Sequence, residues 1–282
     1  MIIDSNSTLL MFFSNVLDTA EGERDLFDKL SPELQVSEQW IQDTFTGSAI
    51  YATFDVMESW PFIKHLMGGV ISHHALLLAI PRLDLFLTPN GFGVVSNQNV
   101  APASKERVER LISNLERERD KFIHQLLLTL SQTYDWRDSE PFKAWSATLF
   151  PNLAVVENCG LKTPLYSTYL ELRPRIKEIE NAIEVNWIGK EQLDCFRLWC
   201  AGVQDSLGQT HHSTYLQVID KLRTSIVRML VDNHPHFRLL EDAVNIIRNN
   251  PEIFPLWHTS PIHELFELPH YENKKDSHGY WF

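Results

Sequence analysis

The chain has 282 residues, 44% of them hydrophobic and 22% charged, with a formal net charge of −12. This much apolar side chain can offset the entropy of ordering a backbone, so the composition excludes a disordered chain. The acidic balance argues against sequence-specific nucleic-acid binding and against an anionic membrane surface, because phosphates are held by clustered Lys and Arg.

Three cysteines, Cys159, Cys195 and Cys200, form no CxxC and are too few for a disulfide framework, so reduced thiols in a cytoplasmic setting are expected. Asp4 stands where a secretion signal carries a basic residue, and the apolar run Leu9 to Phe13 is too short for a signal core. The greasiest later segment, His74 to Ile80, ends at Pro81-Arg82, so no membrane span is expected.

Residues 1–30 read as an N-terminal arm. Ser31-Pro32 has the chemistry of a helix start, followed by Leu34, Trp40, Ile41 and Phe45 at helical spacing and Gly47 as a stop. A short helix over Ala49 to Phe54 follows, then one over Ile63 to Ile80, broken or bent near Gly68-Gly69. Leu83, Leu85 and Leu87 alternate with Asp84 and Phe86, Pro89-Asn90-Gly91 supplies a turn, and Phe92-Gly93-Val94-Val95 returns; the spacing predicts a β-hairpin over 83–96. Ser104 then caps a long helix through Leu130, and its run Glu116 to Lys121 puts charge around the whole circumference.

Aromatic and proline residues mark 151–170 as a connector. A second set of helices is expected from Arg173-Pro174 to Gly189, over Glu191 to Cys200, over Ser213 to Val231 and over Phe237 to Arg248, before a Pro- and His-rich tail. Setting Pro32 against Pro174 gives an offset of 142 (174 − 32), which also pairs Glu38 with Glu180, Ile41 with Ile183, Phe45 with Trp187, Gly47 with Gly189, Tyr51 with Leu193 and Phe54 with Phe196. Either the chain is a tandem duplication or generic helical spacing produces the match. The expected fold is mainly α: helical bundle modules with one inserted hairpin. Its parts are an arm 1–30, module 31–150, connector 151–170 and module 171–282.

Catalytic and metal signatures are weak. Gly91-Phe92-Gly93 lacks the third glycine and the following helix of a dinucleotide loop. His73-His74 and His211-His212 are adjacent pairs whose rings diverge on a helix, and Glu267 stands where a zincin needs its second histidine after His263-Glu264. Asp232, His234 and His236 could form a weak surface site, but no cofactor or metal is expected.

The stretch LTPNGFGVVSNQNVAPASKERVERL, with the closing ENKKDSHGYWF, resembles an uncharacterised domain family found among phage and prophage genes of anaerobic gut bacteria. The resemblance brings no catalytic residues; it implies a non-enzymatic virion structural or assembly protein. The outline of helical modules with a hairpin is also similar to head–tail connector (neck adaptor) proteins, which form homo-oligomeric rings. Expected partners are therefore other virion or assembly proteins and further copies of the chain. The residues expected to make contacts are Pro89, Asn90, Gly91 and Phe92 at the hairpin tip, Arg117, Glu118 and Arg119 on the long helix, and Tyr280, Trp281 and Phe282 in the tail. The rival reading is a small-molecule-binding protein or enzyme with a His- and Trp-lined pocket between modules.

Overall fold

A computed structural model describes residues 2–13, 24–53, 61–83, 85–88, 91–94, 104–160, 165–203 and 206–267. The chain is mainly α-helical. It opens with α1 (Asn6–Leu10), α2 (Leu26–Ile41), a π turn over Gln42–Thr46, α3 (Ser48–Thr53) and α4 (Pro61–Leu83). The backbones of β1 (Leu85–Thr88) and β2 (Gly91–Val94) pair antiparallel, Leu85 opposite Val94 and Thr88 opposite Gly91. Then come α5 (Lys105–Ser131), a 3-10 turn over Tyr134–Asp138, α6 (Glu140–Trp145) and α7 (Ala154–Asn158). The chain continues with α8 (Tyr166–Ile183), a π turn over Glu184–Ile188, α9 (Lys190–Cys200), α10 (Ser206–Thr210) and α11 (His212–Asp232). It closes with α12 (Phe237–Arg248), α13 (Pro255–His258) and α14 (Pro261–Glu264).

Several boundaries differ from the sequence reading. α2 starts at Leu26, where the Asp25 carboxylate accepts the Asp28 N–H at 2.8 Å, so Ser31-Pro32 lies inside the helix. α8 likewise starts at Tyr166 and carries Pro174 within it. Leu83 ends α4 and does not open a strand. α4 is unbroken through Gly68-Gly69: a Cβ on Gly69 would sit 2.5–2.6 Å from three ring carbons of Phe122, so glycine is there to let α5 approach. α4 is also long and apolar enough to cross a membrane, against expectation. It serves as a core helix, with 61% of its most apolar window buried between α2 and α5.

Several local features recur in the two halves. α2 and α8 both end in a π turn closed by a glycine in a backbone region open almost only to glycine, Gly47 at φ 80°, ψ 151° and Gly189 at φ 81°, ψ 154°. Trp136 donates its indole N–H to the Phe45 carbonyl at 2.7 Å, and Trp257 donates to the Trp187 carbonyl at 3.0 Å. Three residues after each tryptophan a serine hydroxyl, of Ser139 or Ser260, donates back to the tryptophan carbonyl at 2.7 Å and packs on the glycine. These partners are 142 residues apart on the helix side (187 − 45) and 121 on the tryptophan side (257 − 136).

The correspondence reaches the segments read as arm and connector. The Ile2 N–H donates to Glu38 and the Leu149 N–H to Glu180, each at 2.8 Å. Ile3 and Phe150 are buried beside them, and α1 and α7 follow. Residues 149–158 thus sit in the second half as residues 2–10 sit in the first.

Candidate interaction sites

The end of α4 and the first turns of α5 both carry incompletely covered apolar side chains. None of Lys105–Asn114 is buried, although Val108, Leu111 and Ile112 give that helix an apolar stripe; they are half-covered. Leu78 and Leu83 on α4 are exposed as well. Farther along α5 the expectation of charge around the full circumference fails. Asp120 is buried, pairs with Arg119 at 2.9 Å and accepts the Tyr166 N–H at 2.7 Å, tying α5 to the start of α8. Burial pushes the Asp120 carboxyl up, against the pull of Arg119 and the Tyr166 amide. Of the proposed contact residues, Arg119 is therefore folded inward. Glu118 pairs with Lys121 at 2.7 Å, and the Arg117 guanidinium donates to Asn114. Gly91 and Phe92 lie in β2; Pro89, Asn90, Tyr280, Trp281 and Phe282 lie outside the described residues.

Several of the described histidines are packing groups. His73 donates from Nδ1 to the Gly69 carbonyl at 2.7 Å, and burial lowers its pKa. His74 stacks on Trp40 with ring centroids 4.1 Å apart, and its Nδ1 lies 3.1 Å from the Ser37 hydroxyl. Burial, helped by Arg119, drives His74 down to about 4. His236 pairs with Asp232 at 2.9 Å, and His263 meets the Trp257 ring edge-on. Among the described residues no three His, Cys, Asp or Glu side chains converge on a common point. Burial raises the Cys159 thiol and pushes Cys200 up to about 12, so both are held as neutral thiols at physiological pH.

A charged cluster that periodicity did not reveal anchors the second half. Glu180, fully buried, accepts the Leu149 N–H and pairs with Arg197 at 3.0 Å; Arg197 also reaches Glu184 at 3.1 Å and Asp194 at 2.8 Å. Burial pushes the Glu180 carboxyl up while Leu149 and Arg197 hold it down. The pairing of Glu38 with Glu180 at one offset was the available signal.

An apolar groove of about 400 Å³ runs between α8, α11 and α12, walled by Ile179, Ala182, Trp187, Met229, Phe237 and Phe266. Its Trp187 ring packs on Phe237 and on Phe266, at centroid distances of 6.0 and 5.8 Å. The groove lies within the second half, not between the halves, and no histidine lines it.

Fold and geometry describe a mainly α-helical protein with recurring local features in its two halves, and its described surface includes a half-covered start of α5 and an apolar groove. Residues 16–144 match the model of a family of unknown function (DUF6712). No curated protein and no solved structure matches the chain.

Proposed function

We propose that this is a non-enzymatic assembly protein of a virion, similar in role to a head–tail connector, and that it works through contacts with other protein chains. In this reading the chain is a tandem duplication, and the β1–β2 hairpin is an insertion that only the first copy carries. The observation behind it is the half-covered apolar stripe over Lys105–Asn114 at the start of α5. A helix with an apolar stripe and no buried residue over its first turns leaves a half-covered surface that a neighbouring chain can complete. Exposed Arg107 and Arg110 beside Glu106 and Glu109 give that surface both signs of charge for registering a partner. Repeated contacts between unlike surfaces close into rings, the arrangement a connector needs.

The test is sedimentation and negative-stain imaging of the purified chain, with co-purification from cells that also make candidate portal and capsid proteins. Rings, or capture by a portal, are expected, and reversing Arg107 and Arg110 to glutamate should abolish them. A chain that stays monomeric and captures neither protein overturns the reading.

A further inference from the structure

We infer that the apolar groove between α8, α11 and α12 is the seat of the chain's own terminal aromatic cluster, Tyr280-Trp281-Phe282. The argument does not depend on the assembly role.

It starts from the equivalent place in the first half. At the offset of 142, Trp40 corresponds to Ala182 and Phe45 to Trp187; at the offset of 121, Trp145 corresponds to Phe266. In the first half these positions make an aromatic corner: Trp40 lies edge-on to Phe45 at 5.2 Å, and Trp145 stacks on Phe45 at 5.8 Å. Tyr166 closes that corner, with centroids 5.7 Å from both Trp40 and Phe45 and 6.3 Å from Trp145. Tyr166 comes from the chain that follows the first half, 21 residues past Trp145 (166 − 145).

In the second half Ala182 replaces the Trp40 indole, and the space stands open as the groove. The chain that follows is 268–282, starting beside Phe266 on the groove wall and carrying three consecutive aromatic residues 14 to 16 positions on (280 − 266, 282 − 266). That length, at ~3.3 Å per extended residue, is ample for a return to the starting point. Tethering gives the segment an effective concentration in the millimolar range, far above that of a neighbour's tail in dilute solution. A second copy docked as the second half docks on the first would bring Arg24 to the place of Tyr166 (166 − 142), a guanidinium in place of a ring.

The test uses the full chain with Tyr280, Trp281 and Phe282 all changed to alanine, and a labelled synthetic peptide of residues 268–282 as the probe. The peptide should bind this ring-less chain at least tenfold more tightly than the wild type, whose groove its own tail fills. Adding Ala182→Trp, which restores the first-half plug, should weaken binding tenfold or more. Phe237→Asp serves as a second block, since Phe237 is 53% exposed and its replacement leaves the interior intact. Equal binding to wild-type and ring-less chains, or binding that ignores both blocks, overturns the proposal. So do concentration-dependent dimers of the wild type that the ring-less chain does not form, because the occupant is then a neighbour's tail.

Discussion

In the first half of the molecule the wedge between α2 and α4 is filled by Trp40 stacked on His74, whereas in the second half the matching wedge beside α8 holds Ala182 and is left unfilled by the described residues. The backbones around both wedges agree closely: π turn, glycine, and a tryptophan indole clamped to the turn's carbonyl. What was kept is the set of groups that leave a backbone little choice. What changed is the side chains that decide whether a surface is sealed. Matching backbones can thus carry wedges that differ in whether their side chains seal them.

The sharpest difference within matching positions lies at the glutamates. Glu38 accepts the Ile2 amide and the Tyr51 hydroxyl at a half-buried site, while Glu180 is fully buried against Arg197 and the Leu149 amide. Glu180→Ala strips a buried cation of one partner and orphans an amide, and should cost about 3–5 kcal/mol in urea unfolding. Glu38→Ala should cost about 1–2 kcal/mol. Equal losses would break the contrast.

The glycines test the likeness instead. Gly47 and Gly189 share a conformation that any side chain strains, and a Cβ would lie 3.4 Å from Ser139 or 3.3 Å from Ser260. Gly47→Ala and Gly189→Ala should each destabilise by about 3 kcal/mol. Calorimetry giving a large loss at one and none at the other would show that the two turns are not held alike.

His74 gives the closed wedge a pH dependence that the open one does not share. Its folded pKa, about 4, lies below the usual imidazole value of 6.5, so the unfolded chain binds the proton more readily between them. The stability linked to it is complete above pH 6.5 and falls as pH drops through 4, the total loss below both values being about 3 kcal/mol. His74→Phe, which keeps a ring against Trp40, should flatten the fall in thermal midpoint over that window. An unchanged slope would remove His74 as its cause.

The helices were legible because apolar spacing reports which face is buried, and the offset of 142 was legible because Pro32 and Pro174, Glu38 and Glu180, and Gly47 and Gly189 keep constant distances along one continuous stretch. The tryptophan clamps were not, because the span containing α4, the strands and α5 is longer in the first half and moves the offset to 121. A spacing search at one register passes over Trp136 and Trp257. The helix starts were misplaced because Ser31-Pro32 has good starting chemistry, yet Asp25 caps the helix six residues earlier (31 − 25). The inward pairing of Arg119 with Asp120 was hidden for another reason: a charge run reads as solvated until a distant group, here the Tyr166 amide, is brought beside it.

The smallest expected effect is also the most direct measure of whether the halves are one design. Trp136→Phe and Trp257→Phe keep most of the apolar ring but delete the indole N–H, leaving the Phe45 or Trp187 carbonyl without that donor. An unsatisfied buried acceptor costs about 1–2 kcal/mol, and the shorter Trp136 bond, at 2.7 Å against 3.0 Å, places its loss at the upper end. The edge-on contact each tryptophan makes with the ring six residues later, Phe142 or His263, should survive in both variants. If the clamps are equivalent and independent, the double variant loses the sum of the two single losses within about 0.5 kcal/mol, because the sites share no partner. A loss well short of that sum would mean that the halves unfold one after the other, each guarded by its own clamp.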